Sequence, residues 1–165
     1  MIVSRYHLAQ INVAELKAPL DSPQLKDFVD NLDRINALAE GTPGFVWRLT
    51  GDGNDATGLR PMGEKIIVNY SIWRDVDTLK EFVYKTAHVE ILKRKREWFE
   101  RMKLNYVLWW VPAGRVPTVA EAVAKLEHLR AHGASPDAFH FGEAYPAPDA
   151  AGAGEPFSIG DTCPA

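Results

Sequence analysis

Two stretches of this chain are apolar on both of their alternating faces, and that limits the folds open to it. Residues 65–73, KIIVNYSIW, put Ile66, Val68, Tyr70 and Ile72 on one side and Ile67 and Trp73 on the other. Residues 106–111, YVLWWV, show the same two-sided pattern. A strand that is apolar on both sides is covered on both sides. Helices packed on the sheet can cover one face. The other then needs a second sheet, most simply that of another subunit, so a homodimer is expected.

Around these strands the chain reads as a regular alternation of elements. Residues 5–13 alternate, with Leu8, Gln10 and Asn12 to one side and His7, Ala9, Ile11 and Val13 to the other. Asp21 or Ser22 followed by Pro23 opens a helix; Leu25, Phe28, Val29, Leu32, Ile35 and Leu38 form its apolar face, and Gly41 can close it. A turn at residues 42–44 leads to the strand FVWRL, with Phe45, Trp47 and Leu49 on one side. Residues 50–63 are rich in Gly, Asp and Asn and read as an exposed loop, because their glycines match no phosphate-binding spacing. Thr118 and Glu121 have capping-box spacing before a helix with Val119, Ala122, Val123, Leu126 and Leu129 on its stripe and Gly133 at its end. Residues 138–141 suggest a short last strand.

The expected order is β-α-β-β-α-β-α-β, and its first six elements match a ferredoxin-like antiparallel sheet with helices on one face, an α+β fold. Residues 1–143 form this domain. Residues 144–165, rich in Pro, Gly and Ala, read as a mobile or loosely docked tail.

The chain's 165 residues are 46% hydrophobic and 25% charged, enough for one compact domain with a real core. No apolar run approaches the ~20 residues that span a bilayer. The N-terminus lacks the features of a signal peptide, so a cytoplasmic protein without a membrane partner is expected. A net charge of −3 argues against nucleic acid as the main partner. Its single cysteine, Cys163, can form neither an internal disulfide nor a cysteine-rich metal site.

The functional lead lies between the two-faced strands. Asp75 can cap the helix that follows Trp73. In its first half Leu79, Phe82, Val83 and Thr86 share a face; further on that face becomes Glu90, Lys93 and Glu97. The apolar residues shift to the side of Tyr84, His88, Leu92 and Phe99, so the helix is either broken near Thr86 or buried on two faces. His88 sits at this change of face. It is a boundary histidine bonded to a neighbour, or an acid/base group lining a cavity, with Tyr84 one turn away. The tryptophans divide the same way. Trp47, Trp73, Trp98 and Trp109 fill a dry core, or they wall a ligand space, since buried indole N–H groups need partners. Trp73 shares a face with Asn69 and Ser71, and Arg48 can meet an anion near the apolar space. The basic run at residues 93–96 covers every side of a helix and reads as solvated surface. No carboxylate cluster or nucleophile triad marks a metal or hydrolase site. His128 and His132, four apart on a mostly exposed face, make a poor zinc pair.

Trp73-Arg74-Asp75 closing a strand, Leu79 and Phe82 opening a helix, and Thr86-Ala87-His88 further along it give the chain a likeness to known proteins. It resembles the dimeric α+β barrel superfamily, which includes the antibiotic-biosynthesis-type monooxygenases. Within that superfamily, PGFVWRL, SIWRDVDTLKEFVYKTAHVEILKRKREWF and LWWVPAGRVPTVAEAVAKLEHLRAHG look like a domain-of-unknown-function family, over about residues 5 to 142. The resemblance implies two sheets packed across a dimer, with a pocket in each subunit between sheet and helices. It implies a small monooxygenase-like or isomerase-like enzyme without a cofactor, acting on an apolar or aromatic metabolite. Asn69, Trp73 and His88 match by type and place the Asn, Trp and His that such oxygenases use. Here His88 would handle a proton and Asn69 or Tyr84 would hold an oxyanion. The alternatives are a haem protein with His88 as axial ligand, and a non-catalytic ligand-binding dimer.

Overall fold

The computed structural model describes residues 3–86 and 88–158. Its centre is a four-stranded antiparallel sheet in the order β2-β3-β1-β4. The strands are β1 (Tyr6–Glu15), β2 (Phe45–Arg48), β3 (Ile66–Trp73) and β4 (Tyr106–Pro112). A 3-10 turn at Pro23–Leu25 leads into α1 (Lys26–Glu40); α2 (Val76–Lys85) and α3 (His88–Trp98) join β3 to β4, and α4 (Val119–His132) follows. This strand order, with crossovers through α1 and through α2 and α3, is the ferredoxin-like arrangement.

Local chemistry sets the boundaries. Asp75 and Thr78 form a reciprocal capping box at the start of α2, and Thr118 and Glu121 form another at α4. Gly133 ends α4 with a φ of 78°, a backbone conformation that suits a residue without a side chain. Gly41 closes α1 from the ordinary right-handed region, and Ser22 makes no side-chain cap: its hydroxyl donates to the Pro19 carbonyl. The helix after Trp73 is broken, as the shift of apolar face suggests. Thr86 is extended (φ −113°, ψ 179°), its carbonyl receives Val89 N–H and its hydroxyl oxygen receives His88 N–H at 3.2 Å. The expected strand at 138–141 is reduced to isolated bridges: Phe139 exchanges backbone hydrogen bonds with Leu108 on the outer edge of β4, while Ala138 and His140 pair only locally, with Ser135 and Glu143.

Helices α1 and α2 lie on one face of the sheet, over a core of Leu8, Trp73, Leu79, Phe82 and Leu108, and α3 packs on the same face through Trp98 and Ile91 against Leu16 and Ile67. The opposite face carries Ala9, Ile11, Val13, Val68, Tyr70, Ile72, Val107, Trp109 and Val111, all at most 5% exposed. Their cover is α4, through Ala122, Leu126 and Leu129. The chain thus supplies the second layer for which the sequence argument required another subunit's sheet. Two-faced strands therefore no longer carry the case for a dimer.

Residues 144–147 add to the packing on the side of α1 and α2. Ala144, Tyr145 and Ala147 are buried, and Trp110 Nε1–H donates to the Tyr145 carbonyl at 2.8 Å. Further along, Asp149 receives Ser4 Oγ–H and Arg5 N–H, each at 2.8 Å. Tyr145, two alanines and the Asp149 carboxylate dock this segment, which its overall Pro, Gly and Ala content does not reveal. Residues 159–165, with Cys163, lie outside the described residues, as does Ala87 between the two helices.

Candidate functional site

The layer of α1, α2 and α3 does not close over the middle of the sheet. Asn12 and Asn69 are Cα partners on the two inner strands, β1 and β3, yet both are exposed. Their neighbours on the opposite face, Ile11, Val13, Val68 and Tyr70, are at most 5% exposed. Above the two asparagines is a cavity of about 250 Å³. The apolar stripe of α1 forms its roof, and Phe28, Leu32 and Ile35 stay half-buried because they face this space. The break at Thr86 contributes the far wall. On its two sides Phe82 and Tyr84 of α2 and His88 of α3 line one opening.

The floor is a polar strip in an apolar sheet. Gln10 and Ser71 are register partners, 7% and 6% exposed. Gln10 Nε2 donates to Ser71 Oγ at 2.7 Å and to Asn69 Oδ1 at 2.9 Å, and Trp73 Nε1–H donates to the same Ser71 oxygen at 2.9 Å. An aromatic series runs from this strip to the imidazole. Phe45 meets Trp73 edge-on, Trp73 stacks on Phe82 with centroids 5.2 Å apart, and Phe82 lies 4.8 Å from the His88 ring. His88 Nδ1 lies 3.5 Å from the Val83 carbonyl, in the last turn of α2. A carbonyl can only accept, so this contact places the proton on Nδ1 and leaves Nε2 as the basic nitrogen. Burial lowers the imidazole pKa below the usual 6.5, and the Val83 carbonyl partly opposes that shift. The ring is therefore neutral at pH 7.

At the mouth, Arg48 is committed to structure. Its Nε donates to Glu40 at 2.9 Å, and its other nitrogens donate to the backbone and side-chain oxygens of Asn54 at 2.6 and 2.9 Å. Asn54 in turn donates to Asp33. This ties the loop after β2 to α1 and brings Asp55, Ala56 and Thr57 into the cavity wall. Ala56 is buried, so the loop that reads as exposed is partly a lining element.

Of the residues that the sequence singles out, Asn69, Trp73, Tyr84, His88 and Arg48 come together around this cavity. Three tryptophans do not. A bulge between Phe45 and Trp47 breaks the alternation of β2, leaving Phe45 beside Trp73 and sending Trp47 to the α4 face against Tyr70. Trp109 pairs with Ala9, stacks on Tyr70 and packs in the α4 core. Trp98 is 1% exposed in a separate cluster with Leu16, Leu25 and Ile67, beside Phe28 and under the Arg94 guanidinium. Gln10 and Ser71 were not singled out. Their signal was present: Gln10 and Asn12 alternate on β1, as Asn69 and Ser71 do on β3, and the register joins the two pairs.

Among the described residues, no group of three or more His, Cys, Asp or Glu could hold a metal ion. His128 and His132 have ring centroids 4.7 Å apart, both on the exposed side of α4. Haem does not fit the cavity. Pockets that hold drug-sized ligands run to roughly 300–1,000 Å³; this space, at about 250 Å³, falls below the small end of that range and is too small for a porphyrin macrocycle. The Arg48 guanidinium, which could meet a propionate, is held by Glu40 and Asn54. Nor is any helix among the described residues long and apolar enough to cross a membrane.

Strand order and cavity define a ferredoxin-like α+β domain with a ligand-sized space between its sheet and its helices. The chain belongs to the family described as domain of unknown function (DUF3291), whose model matches residues 7–154. No curated protein matches it. Several solved structures are similar. A protein of unknown function from Nitrosomonas europaea is 14% identical, with a TM-score of 0.44 over 69% of this chain and 97% of that one. SnoaB, a cofactor-independent oxygenase from Streptomyces nogalater, is 14% identical, with a TM-score of 0.44 over 67% and 95%. A monooxygenase from the ActVA-Orf6 gene of Streptomyces coelicolor, in complex with nanaomycin D, is 13% identical, with a TM-score of 0.42 over 69% and 95%. Likenesses this distant carry no chemistry across, and the fold assignment rests on the strand order itself.

Proposed function

We propose that this cavity binds a small apolar or aromatic molecule bearing an oxygen function, and that the protein acts on it as a monooxygenase-like or isomerase-like enzyme. The observation that carries this reading is the cavity over Asn12 and Asn69, with an aromatic wall and a polar floor. A dry apolar void of about 250 Å³ would cost about 6 kcal/mol at ~24 cal/mol per Å³. That is comparable with the whole stability of a domain, roughly 5–15 kcal/mol. A wet, polar-floored space avoids that cost and can exchange its water for a ligand. An apolar cavity of ~150 Å³ takes up benzene, so the size here suits one substituted ring or a fused pair. In this reading His88, neutral and basic at Nε2, takes and returns a proton, while Asn69 or Tyr84 meets the oxygen that gains charge. Trp73 and Phe82 exclude water from the reacting face.

One observation favours a second reading. The His88 ring meets a last-turn carbonyl of α2, which is a structural task, and a site with that histidine can bind without turning over. One experiment separates the two. Single-ring and fused-ring phenols and ketones are screened by thermal shift, and oxygen uptake and product formation are followed for those that bind. Ligand at 100 times its Kd raises stability by about 2.7 kcal/mol. The enzyme reading expects turnover that His88→Ala reduces at least 100-fold while binding persists. Binding with no turnover supports the second reading, and no binding by any ring compound overturns both.

A further inference from the structure

Gln10 is out of place by the rules of its surroundings. It lies on an inner strand, 7% exposed, on the face that also carries the buried Leu8 and Leu108. An apolar side chain would pack there without desolvation cost, whereas a buried amide costs free energy unless it is bonded. Both of its N–H groups are bonded, one to Ser71 Oγ and one to Asn69 Oδ1. Ser71 Oγ has two lone pairs, and the second is taken by the Trp73 indole, a group that can only donate. The network therefore ends on the Asn69 oxygen. With that oxygen turned toward Gln10, the Nδ2 group of Asn69 is left to face the cavity with two N–H bonds.

We propose that Gln10 and Ser71 are positioning residues of this site, orienting the Asn69 carboxamide so that it offers the cavity donors for a ligand oxygen. The inference rests on the reading of the cavity as a site for small ring compounds. Without the network an exposed asparagine side chain rotates and presents its carbonyl as readily as its nitrogen. With it, the floor favours an acceptor oxygen, such as that of a ketone, over a bare hydrocarbon edge. Reversing both amides together would also close the network, through Ser71 O–H into Gln10 Oε1, but would put the Asn69 carbonyl toward the ligand. The two arrangements make opposite demands on the ligand.

The test uses acetophenone, an acceptor-only ring, and ethylbenzene, its counterpart without oxygen, on the full chain and on Gln10→Met. Methionine keeps the length and apolar packing of glutamine and introduces no buried donor of its own. A net hydrogen bond of roughly 0.5–1.5 kcal/mol corresponds to about two- to tenfold in affinity. The ratio of ethylbenzene Kd to acetophenone Kd should therefore fall about two- to tenfold in the variant, with ethylbenzene affinity unchanged. A second measurement needs no variant: the Asn69 side-chain NH2 resonances should shift on adding acetophenone to the wild type and stay in place on adding ethylbenzene. An unchanged ratio in Gln10→Met overturns the proposal, as does equal loss of both affinities, which would mark Gln10 as structural only. Asn69 resonances indifferent to acetophenone overturn it even if the variant fails to fold. If neither ring binds the wild type, the cavity reading fails first and this inference falls with it.

Discussion

Helix α4 covers the second face of the sheet, and Leu126→Ala tests that cover. Leu126 is 0% exposed, with Ala122 and Leu129 beside it on the same helix face. It belongs to the cluster built from Ala9, Ile11, Val107 and Trp109 on β1 and β4. Truncation removes three carbons, worth about 2.4 kcal/mol at ~0.8 kcal/mol each. The cavity left behind adds to this, and fully buried leucines lose about 2.7–5 kcal/mol in all. A loss of about 3 kcal/mol, at a urea m-value of ~2 kcal/mol/M, lowers the unfolding midpoint by about 1.5 M. Trp109, 2% exposed and stacked on Tyr70 in this cluster, supplies a fluorescence signal. The titration is run at two protein concentrations. If α4 provides the cover within one chain, both wild-type and variant midpoints are independent of concentration. A loss below about 1 kcal/mol would refute the packing of α4. Midpoints that rise with concentration would show that another copy contributes to stability, and would return the second face to a dimer.

Two further predictions concern the helix break. Because burial holds the His88 pKa below its unfolded value of 6.5, the unfolded chain binds the extra proton first on acidification. Stability is therefore full above about pH 6.5 and is lost as the pH falls through the folded pKa; His88→Gln should flatten that part of the urea-midpoint profile, and an unchanged slope would mean another group is responsible. Thr86→Ala removes the oxygen that receives His88 N–H and the hydroxyl that donates to Phe82 O, so it should cost about 1 kcal/mol and lower Tm by roughly 2–4 °C. A Tm unchanged within error would mean that the break at Thr86 does not depend on this cap.

Much of the fold was legible because its signals are local. Asp75 and Thr118 announce α2 and α4 by capping chemistry, and the migrating apolar face of residues 79–99 announces either a break near Thr86, which the fold has, or a helix buried on two faces. What failed was non-local or turned on a single residue. Trp47 is two residues from Phe45 and should share its face, but one bulged residue reverses that, and nothing in FVWRL marks the bulge. Trp109 and Trp110 are adjacent and equally bulky. The pairing register, Ala9 with Trp109 and Leu8 with Trp110, decides which of them faces α4, and register is a property of two strands. The cover of the second face was missed for a different reason. A two-faced strand states that something covers it, and the identity of the cover is not written in the strand.

The polar residues of the inner strands carry information that the aromatic residues do not. An aromatic residue in a core is ambiguous, since packing alone justifies it, and Trp47, Trp98 and Trp109 are in fact packed in clusters. An asparagine on an inner strand, on a face otherwise apolar and covered, has no such excuse: it must be bonded, or there must be water above it. Asn12 and Asn69 face each other across β1 and β3, both exposed, with Gln10 and Ser71 bonded alongside. Four polar residues at alternate positions on two paired strands therefore mark the place where the helical layer leaves a gap. A sequence that breaks its own pattern in this way gives up core packing at that place, and such departures tend to mark functional sites. In this chain the polar positions on β1 and β3 locate the cavity more narrowly than its five tryptophans do.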